Sequence, residues 1–319
     1  MVELTEVTKY YGPKRALGPV SCEIVRGDTV GFLGLNGVGK TTLLRILACG
    51  LRPSSGRVEI DGFDVLRSPH EVRKRVGYLP ETPPVYRDMT VRDYLAFSGR
   101  IKGMTAEAIA RRVPEVEERT RISEVSDVPT GHLSEGFRQR VGVAQAIVHE
   151  PELLILDEPT HDLDPVQIME MRRMIRSLKD SHTILISSHI LPEISQTCDR
   201  LLILDDGEIV ATGTEEELSG TLARTRRMTI TIRLGGSDGT DRTSAGAEAA
   251  IRGVTGVTRT EVTDGGGDRA VTFEVESEED LRSAVCRALV EGGHEVIALA
   301  RSEHGLERVF VDLVGGERS

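Results

Sequence analysis

The chain has 319 residues, enough for two domains and a well-buried core. Acidic side chains outnumber basic ones by 51 to 40, giving a formal net charge of -11, a field that discourages nucleic-acid binding and does not favour an anionic lipid surface. Aromatics are only 3% of residues and tryptophan is absent, so a base-stacking platform is disfavoured and no nucleic-acid partner is expected. The four cysteines (Cys22, Cys49, Cys198 and Cys286) form no C-x-x-C pair and read as free thiols in a reducing compartment. The N-terminus lacks the pattern of a signal peptide, and no apolar run reaches the length of a membrane span. The chain is expected to be cytosolic, or to reach a membrane only through a partner.

The first sixty residues alternate and are punctuated by Gly, Asp and Pro, which predicts strands in "MVELTEVTKYY", "GPVSCEIVRG", "DTVGFLG" and "GRVEIDG". "KTTLLRILACGLRP" switches to helical periodicity and stops at Gly50 and Pro53. Residues 88–128 are mainly helical, with Val91, Tyr94, Leu95 and Ser98 on one stripe. Apolar strands then alternate with helices: "ELLILDEP", "DPVQIMEMRRMIRSLKD", "HTILISSH", a helix, and two strands joined by "DDG". That order predicts a parallel sheet covered on both faces. Near residue 220 the texture changes, and 235–246 is glycine-rich and polar, the pattern of a loop. Strands at 227–234, 256–263, 270–276 and 294–301 with helices at 246–252 and 278–291 give βαββαβ, a ferredoxin-like order. A final helix is expected in "GLERVFVDLV".

"GLNGVGKTT" (34–42) fits G-x-x-x-x-G-K-[ST] between a strand and a helix. Gly34, Leu35, Asn36, Gly37, Val38, Gly39, Lys40, Thr41 and Thr42 would form the phosphate cradle. Glycines let backbone N–H groups turn inward, and the helix aims its positive end at the phosphates. Lys40 would neutralise the β- and γ-phosphates of a triphosphate, and Thr41 would offer its hydroxyl to Mg²⁺. "LLILDEPT" delivers Asp157 and Glu158 at the C-terminal end of a buried strand, where open α/β sheets bind ligands. Asp157 suits the Mg²⁺ shell, and Glu158 suits a general base for the attacking water. "ILISSHIL" repeats the arrangement and ends in His189, which could contact the γ-phosphate or orient the water.

Over residues 1–220 these motifs, with "LSEGF" and "LDP", resemble the nucleotide-binding subunit of ABC transporters, and within it the ATPases of ABC-2-type exporters, including gliding-motility-associated ones. The resemblance implies a P-loop NTPase core with an N-terminal antiparallel β subdomain and a helical subdomain at about 88–133. The small α+β ferredoxin-like domain would occupy 221–319. "LSEGF" sits where the family usually carries Leu-Ser-Gly-Gly-Gln, a helix start that binds the γ-phosphate of ATP held by the other subunit. Ser134 and Gly136 match the contacting positions; Glu135 and Phe137 depart, and Glu135 is expected to point outward. Tyr11 matches the aromatic that stacks on adenine, with Tyr10 as the neighbouring candidate. Glu81 stands where a metal-ligating glutamine is usual, and Asp164 matches an aspartate touching the opposite subunit. His161 and Asp162 replace the small residues usual before it.

The implied function is ATP-driven closure of a dimer that pulls on a multi-span permease, at the cytoplasmic face of the membrane. The partners are a second ABC ATPase subunit, as a homodimer, and that permease; the cofactors are ATP and Mg²⁺. The competing reading is a soluble ABC ATPase acting as an assembly or regulatory factor.

Overall fold

The protein is described by a computed structural model at residues 1–222, 226–233, 244–264, 270–277 and 279–301. Two compact units emerge, Met1–Glu215 and Glu216–Ser319. The first begins with β1 (Val2–Tyr11), β2 (Lys14–Ile24), β3 (Thr29–Leu33), α1 (Lys40–Leu47), β4 (Ser55–Ile60) and β5 (Phe63–Asp64). Strands β2, β1, β4 and β5 pair in that order as an antiparallel sheet. Val2 and Leu4 of β1 are buried while Glu3 and Thr5 are exposed, the period of two that a half-buried sheet requires.

The chain continues through α2 (Pro69–Arg75), β6 (Val76–Leu79), α3 (Val91–Ile101), α4 (Ala106–Arg119), α5 (Glu135–Ile147) and β7 (Leu153–Asp157). It then forms α6 (Pro165–Leu178), β8 (Thr183–Ser188), α7 (Leu191–Ser195), β9 (Arg200–Asp205), β10 (Glu208–Gly213) and α8 (Glu215–Leu222). The central sheet runs β10-β9-β3-β8-β7-β6, parallel except for the antiparallel β10. Its strands are apolar on both faces because each face feeds a separate core. Leu153 and Ile155 of β7 pack with the antiparallel sheet and α1, whereas Leu154 and Leu156 pack with α3 to α6. Of the expected stripe on α3, Val91, Tyr94 and Leu95 are buried and Ser98 is half-buried. Thr90 and Thr105 cap α3 and α4 by accepting from Asp93 N–H and Ala108 N–H.

The second unit holds β11 (Arg226–Arg233), α9 (Ser244–Arg252), β12 (Val257–Asp264), β13 (Ala270–Ser277), α10 (Arg282–Glu291) and β14 (Glu295–Arg301). The sheet order is β12-β13-β11-β14 with every pair antiparallel, the ferredoxin-like arrangement of a βαββαβ chain. Ile230, Ile232, Phe273 and Val275 face Ile251, Val285 and Leu289 in its core. Helix α10 starts at Arg282 rather than at 278, because Asp280 Oδ1 accepts from Arg282 N–H just before it. The expected helix in 305–314 and most of the glycine-rich stretch lie outside the described residues.

Strand β6 escaped the sequence pattern, since Val-Gly-Tyr-Leu is too short to show a period. It is pinned against α5: a Cβ on Gly77 would come within 2.0 Å of Ala146 O. Gly77→Ala is therefore expected to destabilise the first unit by about 1–3 kcal/mol through overpacking, read from urea unfolding midpoints.

His149 follows α5 and lies with Nε2 3.2 Å from Val76 O, a carbonyl that also accepts from Lys102 Nζ at 2.8 Å. Its Nδ1 is buried without a partner, so a second proton would find no acceptor. Burial, reinforced by the Lys102 ammonium, pushes the imidazole down to about 3. The unfolded chain therefore takes up this proton first, and the stability present above pH 6.5 is lost as the pH falls toward 3. His149→Gln should flatten the acid limb of thermal midpoint against pH in that window.

Candidate nucleotide site

The turn after β3 supplies the first half of the site. Gly34 has no room for a side chain, because a Cβ there would meet Leu204 O and Val38 Cγ2 at 2.7 Å. Gly39 is the N-cap of α1 at φ 109, a conformation glycine adopts readily, and a Cβ there would lie 2.6 Å from Ala16 O. Lys40, the first helical residue, is buried, with Nζ donating to Gly34 O at 2.7 Å and Leu35 O at 3.2 Å. The loop thus folds around its own lysine.

The ends of β7 and β8 supply the second half. Asp157 is fully buried; its Oδ1 accepts from Ser187 Oγ at 2.6 Å and from Thr41 Oγ1 at 3.2 Å. Burial holds its carboxyl above the usual carboxylate range, partly offset by those two hydroxyls. Its Oδ2 is buried without a hydrogen-bond partner. Ser187 Oγ also accepts from Glu158 N–H at 2.9 Å, so one hydroxyl fixes both acidic residues. Glu158 sits at φ 48, where the strand ends and a turn begins that His161 N–H closes on Glu158 O at 3.0 Å. Its carboxylate bridges the two halves: Oε1 lies 3.4 Å from Lys40 Nζ, and Oε2 lies 3.0 Å from His189 Nδ1.

These groups line one open cleft of about 340 Å³, shared by Asn36, Gly37, Gly39, Lys40, Thr41, Thr42, Glu81, Glu158, His161 and His189. Gly34, Leu35 and Val38 belong to the loop without lining the cleft, and Asp157 lies beneath it. Tyr11, at the end of β1, is half exposed with Lys9 Nζ 5.4 Å from its ring centroid, and neither it nor Tyr10 lines the cleft. Glu81 reaches the rim, with Oε1 3.7 Å from His161 Nε2, while its backbone carbonyl accepts from Gln139 Nε2 at 3.1 Å.

Ser134 and Gly136 stand outside this cleft, at the start of α5. Ser134 is the N-cap, and its side chain accepts a long hydrogen bond from Phe137 N–H at 3.5 Å. Glu135 is held by Arg138 at 2.8 Å, and Phe137 packs against the core beside α5 with Arg140 over its ring. Gly136 is buried under Gln167 of α6, whose Cδ would lie 2.9 Å from an added Cβ. Asp164 caps α6, accepting from Val166 N–H and Gln167 N–H at 2.9 Å. Two contributors were not singled out in the sequence. Ser187 had only its place in "ISSH" to signal it. Glu193 of α7, buried, accepts from Thr160 and Ser188 and braces the turn beyond Glu158; nothing local marks it.

Residues 17–161 match the family described as ABC transporter. The bacitracin transport ATP-binding protein BcrA of Bacillus licheniformis is 34% identical over 318 residues, 99% of this chain and 98% of that protein. The daunorubicin resistance ATP-binding protein DrrA3 of Streptomyces coeruleorubidus is 35% identical over 97% of this chain and 94% of its own. A dimeric ATP-binding cassette in a post-hydrolysis state, bound to ADP and Pi, superimposes with a TM-score of 0.62 at 25% identity over 67% of this chain and 98% of its own. With a lysine-bearing phosphate loop facing paired acidic residues and a histidine, and relatives matched along nearly their whole length, the chain belongs to the ABC transporter ATP-binding subunits, ATPases that power transport.

Proposed function

We propose that two copies of this chain clamp two Mg²⁺-ATP between them and drive an exporter through a multi-span permease at the cytoplasmic face of the membrane. The observation that carries this reading is the Lys40–Glu158–His189 line across the cleft, with Thr41 and Asp157 directly below. Export is the direction suggested by relatives named for bacitracin transport and daunorubicin resistance. No helix among the described residues is long and apolar enough to cross a membrane, in keeping with a separate permease chain.

On ATP binding, phosphate oxygens replace the Gly34 and Leu35 carbonyls as acceptors for Lys40. Gly37, Gly39 and the first turn of α1 turn N–H groups toward the same phosphates. The donor set fits Mg²⁺, which favours oxygen ligands, few carboxylates and substrate phosphates. Asp157 has a buried unpartnered oxygen beside the Thr41 hydroxyl, and Glu81 stands at the rim. Thr41, Asp157 and Glu81 would hold the ion, which when bound neutralises charge on the phosphates. Glu158 takes the proton of the attacking water, and the Nδ1–H tautomer of His189 that suits Glu158 leaves Nε2 free to orient that water. Ser134 and Gly136 lie away from their own cleft, which supports their acting on the nucleotide of the other copy, with Asp164 at the seam. Tyr11 stacks on adenine, and residues 81–133 receive the permease.

Glu158→Gln should cut phosphate release by roughly 10²-fold or more while equilibrium ATP binding persists and the chain sediments as a dimer with ATP; undiminished turnover would remove Glu158 from this role. Ser134→Arg should abolish turnover yet leave nucleotide binding per chain intact. If both vanish together, the serine serves its own cleft and the shared-site reading fails.

A further inference from the structure

In the second unit, β12 forms one edge of the four-stranded sheet among the described residues. An open groove of about 620 Å³ runs beside it, lined by the consecutive residues Val257, Thr258, Arg259, Thr260 and Glu261 together with Arg252 of α9. A groove following five successive strand residues has the shape an added strand would take. Thr260 is buried, yet its hydroxyl has no hydrogen-bond partner. Val262, two residues on, is half exposed.

The charges along this edge read as a palindrome. Arg259 and Glu261 lie on one face of β12, both well exposed and paired with each other across Thr260. The register with β13 places Glu261 opposite Glu274 and Arg259 opposite Glu276. If a second copy is laid antiparallel about a two-fold axis through Thr260, Arg259 of each copy falls opposite Glu261 of the other. Thr258 then faces Val262, and the two Thr260 residues meet at the axis. Charges that merely guard an edge need no such symmetry, since covering any unpaired charge with a neutral strand costs its hydration. The register slips on either side of Arg259–Val262 limit the contact to this short stretch.

We propose that the edge strand β12 is a homotypic docking site, pairing antiparallel with β12 of a second copy and centred on Thr260. The interface is isologous, as a two-fold contact must be. It needs no nucleotide and shares no residue with the cleft, so it can be tested apart from ATP-driven closure.

The test uses the full-length chain without nucleotide, followed by sedimentation velocity over a concentration series. Wild type should dimerise reversibly. Arg259→Glu and Glu261→Arg should each weaken the dimer by roughly tenfold or more, because each places like charges opposite one another twice. The exchange Arg259→Glu with Glu261→Arg rebuilds the palindrome and should restore association to near the wild-type level. Thermal melts of each variant check that it folds. As a second readout, a chain carrying Thr258→Cys and Val262→Cys, two exposed positions that face each other across the axis, with the four native cysteines replaced by serine, should oxidise to a disulfide-linked dimer. A wild-type chain that stays monomeric, a dimer indifferent to either single reversal, or an exchange variant as weak as the single reversals would overturn the proposal. So would failure of the Thr258→Cys, Val262→Cys chain to cross-link.

Discussion

Removing a carboxylate from water costs several kcal/mol unless hydrogen bonds replace its hydration, and Asp157 has no solvent contact at all. Two hydroxyls satisfy one of its oxygens and none satisfies the other. Under the proposed function, the metal ion that accompanies ATP would complete that half-satisfied carboxylate. The same two hydroxyls belong to α1 and β8, so the carboxylate is also the knot joining the phosphate loop to the strand that carries His189. Ser187 extends the knot by accepting from the Glu158 backbone, which fixes the turn that brings the second carboxylate between Lys40 and His189. The site is thus a consequence of where three parallel strands stop.

Those strands stop together because they are neighbours in the sheet, with β3 beside β8 and β8 beside β7. Every residue in them is buried and their middle residues are apolar, so register is set by burial on both faces. A one-residue slip of β7 would exchange Leu154 for Ile155 between two cores of different composition and move Asp157 away from Thr41. Precision at the cleft therefore rests on hydrophobic packing some distance below it.

Much of this could be read in the chain beforehand. The phosphate loop, the acidic strand end and His189 were legible because each is a short motif at a strand terminus, where geometry follows from topology. The ferredoxin-like order of the second unit was legible from alternation alone. What was hidden depends on contacts between distant segments. Strand β6 has four residues and gains its identity only by pairing with β7 and pressing Gly77 against α5. Glu193 looks like a surface acid on a short amphipathic turn, and only the fold shows it buried under Thr160 and Ser188. His161 differs from the usual small residue at its position, but its place on the cleft rim beside Glu81 needed coordinates.

Helix α5 carries Ser134 at its head and reaches sideways with two glutamine amides: Gln139 donates to the carbonyl of Glu81, and Gln145 to that of Tyr78. Both grips are on main chain, which every amino acid presents alike. The two hydrogen bonds therefore do not depend on the side chains of Tyr78 and Glu81, whereas Leu79 between them is buried against Gly142 of α5 and belongs to the same core. The two glutamines have no such latitude. Variation along this joint should accordingly spare Leu79, Gln139 and Gln145.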